Sequence, residues 1–154
     1  MFDKEIKSIL FVCLGNICRS PLAEGIAKKR AQEFGLDLAL DSAGTGNWHV
    51  GEHPCNDSIK VAKLNSVDIS NYKARQVTHN DFKDFDLIVT MDSQNKRDLD
   101  NRGLKGSIKI ADFRADGADI PDPYFFNGFE GFPKVYEMID EGIVNILKKI
   151  KENL

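Results

Sequence analysis

Cys13-Leu14-Gly15-Asn16-Ile17-Cys18-Arg19-Ser20 sets five residues between a thiol and a guanidinium, just after an apolar run and just before a helix start. A loop of that length curls into a ring whose backbone N–H groups converge on one tetrahedral oxyanion, and a phosphoryl group fits that description. Gly15 supplies a positive φ without a Cβ penalty, and Asn16 is the next best residue for a left-handed conformation. Ser20 reads as the N-cap of the following helix, Pro21 as its first position, and Glu24 as an acidic complement to its dipole. The helix's positive pole, the converging N–H groups and Arg19 then favour an anion, the thiolate of Cys13 included. Cys13 is the candidate nucleophile and Arg19 the clamp on the oxyanion. Leu14, Gly15, Asn16, Ile17, Cys18, Arg19 and Ser20 form the candidate phosphate-binding ring. Either cysteine alone reads as a small core hydrophobe; the joint order after a strand is what singles out Cys13 and Arg19. Cys18, for which a phosphate loop has no stated need, reads equally well as a packing residue.

The elements that must hold this loop follow from apolar runs at Ile9 to Val12, Leu38 to Leu40, Leu87 to Val89 and Ile108 to Ile110, which alternate with helical patterns. They predict an α/β fold: a single-domain open sheet of four parallel strands with helices on both faces, the catalytic loop lying between the first strand and the first helix. Helices are expected after Ser20, near Cys55 to Leu64, after Ser93 as N-cap with Gly103 as the stop, and at Phe132 to Ile150. The last carries an apolar stripe of Phe132, Val135, Tyr136, Ile139, Ile143, Leu147 and Ile150. Ligands of open parallel sheets sit beyond the strand carboxyl ends, where Cys13 falls.

Composition sets outer bounds. The 154 residues, 42% of them hydrophobic, suit one domain spanning 1–154 with a sizeable core. A formal net charge of −3 gives no electrostatic footprint for nucleic acid or an anionic membrane, so the positive charge that phosphate needs must be local. Three cysteines are an odd count, and Asp3, Lys4, Glu5 and Lys7 precede only a short apolar run; no signal peptide or spanning helix is expected, and a reducing cytoplasm is the expected compartment. His49-Val50-Gly51-Glu52-His53 matches a zinc signature that requires a helix, which Gly51 and Pro54 oppose, so no metal and no cofactor is expected.

The loop, taken with Asp122-Pro123-Tyr124 far downstream, closely resembles the low-molecular-weight protein tyrosine phosphatases. The resemblance covers nearly the whole chain, through Asp41-Ser42-Ala43-Gly44-Thr45, Trp48, Ala74-Arg75-Gln76, Asp84-Phe85-Asp86 and Met91-Asp92. It implies that Cys13 attacks phosphorus, Arg19 holds the phosphoryl oxygens, and Asp122 protonates the leaving phenolate. Chemistry asks for the same acid, since expelling a tyrosyl oxygen needs a proton donor on the face opposite the thiolate. Asp122 precedes Pro123, which biases it towards extended backbone; Asp119 is its nearest competitor. Trp48, Tyr124 and Phe125 are candidate walls for the leaving group's ring, deep enough for phosphotyrosine and too deep for phosphoserine. Ile17 favours tyrosine, because the related protein arginine phosphatases carry threonine there. Asp92 either braces the site or caps the next helix. Many members of the family brace the loop asparagine with a histidine where this chain has Tyr72, and the family's behaviour raises a reversible Cys13–Cys18 disulfide.

The implied partner is a tyrosine-phosphorylated protein, with inorganic phosphate as product and a monomer or weak dimer as the assembly. A thioredoxin-coupled arsenate reductase is the rival enzyme, but it needs two further cysteines on a separate segment, and only Cys55 lies outside the loop. A non-catalytic phosphotyrosine-binding module would not need Asp122.

Overall fold

A computed structural model describes residues 2–154, the side chain of Tyr124 excepted. Four strands, β1 (Ser8–Cys13), β2 (Ala39–Gly44), β3 (Leu87–Thr90) and β4 (Ile108–Lys109), form one parallel sheet in the order β2-β1-β3-β4. Five helices surround it: α1 (Arg19–Glu33), α2 (Asn56–Leu64), α3 (Asp81–Asp84), α4 (Ser93–Asn101) and α5 (Phe132–Glu152). The expected four-stranded parallel sheet is present. The four-residue α3 has no sequence signal of its own, being too short to show a period.

β1 is central and buried on both faces, so its side chains alternate between two cores. Ile9, Phe11 and Cys13 join a large cluster with Leu22 and Ile26 of α1 and Val135, Ile139 and Ile143 of α5. Leu10 and Val12 join a smaller one with Ile88, Leu99 of α4 and Leu104. The predicted stripe of α5 is buried throughout. β2 runs past Leu40 to Gly44, with Asp41 part-exposed at the sheet edge and Ser42 buried against Asn16 and Glu24, and β4 stops at Lys109, where Ile110 turns into a 3₁₀ helix.

This register matters for the loop that follows β1. Cys13 pairs with Gly44, and the next residues lie across the end of β2: Thr45 N–H donates to the Cys13 carbonyl and Gly46 N–H to that of Leu14, both at 2.9 Å. A Cβ at Gly44 would sit 2.8 Å from the Leu14 carbonyl oxygen and 3.1 Å from Asn16 N, so only glycine admits the loop there.

Candidate active site

Asn16 takes the left-handed turn of the loop, with φ 57°. Gly15, expected to share that conformation, does not; its missing Cβ instead gives room to His49, whose Cδ2 would lie 3.0 Å away. The Asn16 side chain turns inward and is saturated. Its amide donates to Ser20 Oγ at 2.7 Å and to Ser42 Oγ at 2.9 Å, while its oxygen accepts the Arg75 N–H at 3.0 Å.

α1 begins at Arg19, with Cys18 in the cap position, so Ser20 is a helix residue and not the cap. Cys18 makes no side-chain cap bond, which leaves first-turn N–H groups directed at the loop opening. The Ser20 hydroxyl has other work: it lies 3.1 Å from Cys13 Sγ, and the Ser20 N–H points at the same sulfur from 3.4 Å. The same hydroxyl accepts from Asn16 and lies 3.5 Å from the Ala43 carbonyl, so Ser20 ties the Cys13 sulfur to the strand ends.

Glu24 does not serve the helix dipole. It is buried, accepts the Ser42 hydroxyl at 2.7 Å and pairs with Lys28 at 2.7 Å, so a chain of polar contacts runs from Lys28 through Glu24 and Ser42 to Asn16. Tyr72 enters at the far end of that chain, its ring 4.5 Å below the Lys28 ammonium. It acts on Asn16 through three intervening side chains. Arg75 closes the other side, its guanidinium shared by Asp41 and Asp81. Burial works to raise the Asp81 carboxyl, but Arg75 and the Thr78 N–H outweigh it and hold the group below the usual carboxylate range.

Arg19 is buried to 3% side-chain exposure. Its Nη1 donates to Asp92 Oδ2 at 2.6 Å and to the Ile120 carbonyl at 2.9 Å, and Nη2 lies 3.9 Å from Asp122 Oδ2. Burial opposes the charge, yet Cys13, Asp92 and Asp122 together keep the guanidinium above its ordinary value, so it is charged at any working pH. Asp92 fulfils both expected roles at once. One oxygen holds Arg19 and the other accepts Asn95 N–H at 2.7 Å, and Asn95 returns a bond to the Asp92 N–H, a capping box that starts α4. Asp92 is therefore the cap expected of Ser93, which is the first helical residue.

A cleft of about 770 Å³ opens above the loop. Cys13, Leu14, Gly15, Ile17, Cys18 and Arg19 line its floor, and Trp48, Asp122 and Phe125 line its walls. Asn16 and Ser20, expected in the phosphate-binding ring, do not reach the lining; their side chains hold the loop from beneath. Trp48 and Phe125 are 69% and 82% exposed, which makes them rims rather than enclosed walls. The Tyr124 side chain lies outside the described residues. Asp119 is turned away and accepts both the N–H and hydroxyl of Ser93, at 2.9 and 2.7 Å. Burial works to raise the Asp119 carboxyl; the Ser93 bonds and Lys109 hold it below the ordinary range.

His49, Cys55, Asn56, Asp57, Phe126 and Gly128 also line the cleft, and nothing in the sequence marks them for it. His49 pairs with Glu52 at 3.0 Å and His53 contacts the Tyr72 carbonyl at 3.0 Å, in a segment that forms a turn from residue 48 to 51. Cys55 lies against the loop, its sulfur 2.6 Å from Cys18 Sγ. The sulfur contact of Cys18 is thus with Cys55.

A thiol on a nest of N–H groups at the end of a central parallel strand, flanked by a buried arginine and a cleft-lining aspartate, defines a cysteine-dependent phosphatase site. Residues 8–154 match the family model of the low molecular weight phosphotyrosine protein phosphatases, and the chain belongs to that family. It is 38% identical to the low molecular weight protein-tyrosine-phosphatase YfkJ of Bacillus subtilis over 94% of this chain and 96% of that one. A protein tyrosine phosphatase structure from Entamoeba histolytica, with Hepes in its active site, superposes with a TM-score of 0.88 at 37% identity, covering 96% of this chain and 98% of that one. A Drosophila arginine phosphatase superposes with a TM-score of 0.85 at 34% identity, covering 93% and 97%.

Proposed function

We propose that this chain hydrolyses protein phosphotyrosine through a cysteinyl-phosphate intermediate, with residues 1–154 acting as one phosphatase domain. The observation that carries the assignment is the convergence of Cys13 Sγ, Arg19 and Asp122 on one cleft, the sulfur already held by the Ser20 hydroxyl and N–H. The phosphoryl oxygens sit among the N–H groups of Leu14 to Ser20, with the Arg19 guanidinium as the charged donor. The Cys13 thiolate attacks phosphorus as the bond to the tyrosyl oxygen breaks, and Asp122 gives that oxygen its proton. Asp122, now a carboxylate, takes a proton from water as the water attacks phosphorus; the P–S bond breaks, restoring the thiolate and releasing inorganic phosphate. No metal enters these steps.

Arg19 is braced by Asp92 and Ile120, so its planar fork is fixed before substrate arrives and little side-chain freedom is lost on binding. Trp48 and Phe125 flank the phenol ring. Ile17 on the cleft floor supports tyrosine over arginine as the phosphorylated side chain. The local positive charge at Arg19 supports an anionic substrate despite the overall charge of −3. Three free cysteines support a cytoplasmic setting, and no helix among the described residues is long and apolar enough to cross a membrane. A monomer or weak dimer completes the reading.

The purified protein should release phosphate from an aryl phosphate in the presence of a chelator, and Cys13→Ser should abolish turnover. Absence of release, or release that the chelator removes, overturns the assignment.

A further inference from the structure

The phosphate loop and the start of α2 are bound to each other at two points outside the sulfur atoms, and a third contact within α2 steadies the Cys55 sulfur. Cys55 N–H donates to the Ile17 carbonyl at 2.7 Å, the Ser58 hydroxyl donates to the Cys18 carbonyl at 3.0 Å, and Cys55 Sγ lies 3.1 Å from that same hydroxyl. This frame holds Cys18 Sγ and Cys55 Sγ at 2.6 Å, so closure to the ~2.05 Å of a disulfide needs sub-ångström movement. Both sulfurs belong to residues that line the cleft, which gives a small oxidant access. From these contacts we propose that Cys18 and Cys55 form a peroxide-oxidisable dithiol, a modification site beside Cys13 that is distinct from the nucleophile.

The two sulfurs divide the chemistry between them. Contact with the Cys18 sulfur, together with the Ser58 side chain and N–H and against burial and the nearby Asp57, lowers the Cys55 thiol to about 6. The same contact, reinforced by burial and by the charges of Cys13 and Asp122, pushes the Cys18 thiol up. Cys55 is therefore the more acidic thiol of the pair and the one that ionises to attack. Hydrogen peroxide is the oxidant. The Cys55 thiolate attacks one peroxide oxygen, the O–O bond breaks, hydroxide leaves, and Cys55 becomes a sulfenic acid. Cys18 then attacks that sulfur as its proton passes to the departing oxygen; the S–O bond breaks, water leaves, and the disulfide forms. Two thiol sulfurs are oxidised and one peroxide is reduced.

The product would join the residue before Arg19 covalently to the cap residue of α2. It would also occupy Cys18, leaving Cys13 without that neighbour as a disulfide partner.

Thiol counting and peptide mapping test the pair. Cys13→Ser protein treated with hydrogen peroxide should lose two thiols per chain and gain a dithiothreitol-reversible link between the tryptic peptides 8–19 and 31–60. Cys18→Ser and Cys55→Ser should each remove that link. In the unmutated protein, fragmentation of the linked peptides should place the bond on Cys18 rather than Cys13, a readout that needs no variant to fold. A bond between Cys13 and Cys18 with Cys55 still open to alkylation overturns the proposal. So does oxidation of Cys55 to sulfinic acid while Cys18 stays reduced. The pairing and the phosphatase assignment fail separately, because Cys13→Ser removes turnover while keeping both sulfurs.

Discussion

Asn16 and Phe125 stand beneath the floor and on the rim of one cleft, the first 3% exposed with all its amide groups bonded to Ser20, Ser42 and Arg75, the second 82% exposed in a short 3₁₀ turn. The floor is made of strand ends, a helix start and saturated polar groups. The rim is made of 3₁₀ turns and aromatic side chains. A reaction centre needs its charged atoms fixed before substrate arrives, because reorganising them during reaction costs rate. A surface that meets peptides of varied sequence needs adaptable contacts instead, and segments with little buried apolar area and few internal bonds supply them.

Asp122 is where this contrast is most exposed to test, since the acid proposed above is carried by the adaptable side. Asp122→Ala should lower kcat by ~10²–10⁴-fold for phenols that leave poorly and far less for those that leave as stable anions. A series of aryl phosphates of graded leaving-group pKa measures the slope; equal slowing across the series would take the acid away from the rim. Next in size is Asn16→Ala, which strands the Arg75 N–H and takes one bond each from the Ser20 and Ser42 hydroxyls. It should lower stability by ~1–3 kcal/mol in denaturant titration, while Phe125→Ala should stay within ~0.5 kcal/mol. If the two variants shift the midpoint equally, the floor is no more rigid than the rim. Smallest is Trp48→Ala, expected to weaken aryl phosphate binding by ~0.5–1.5 kcal/mol, up to about tenfold in KM, with alkyl phosphates unaffected. Equal losses for both classes would mean that Trp48 shapes the loop rather than the ring's resting place.

The parts legible in the sequence are those whose cause is local. The run Ile9 to Val12 gives a buried strand because four consecutive apolar residues have no other way to be shielded, and Cys13 to Arg19 announces itself through residue types in order. The boundaries depart from the sequence pattern where one side chain takes a job that the pattern gives to another. Ser20 was expected to cap α1 but holds the Cys13 sulfur; Ser93 was expected to cap α4, but Asp92 does so with one oxygen while holding Arg19 with the other. What stayed hidden spans distance along the chain. Ser42 lies 26 residues from Asn16 and Cys55 lies 37 from Cys18, so neither contact leaves a local pattern. Tyr72 illustrates the same limit: its place opposite Lys28 replaces a direct brace with a relay through Glu24 and Ser42.

The bond from Arg19 to the Ile120 carbonyl spans 101 residues. During synthesis the cysteine of the loop leaves the ribosome well before residue 120, so the arginine beside it cannot be fully seated until that later segment has emerged as well. A nascent chain therefore carries the loop's sulfur for a time with no assembled anion site around it.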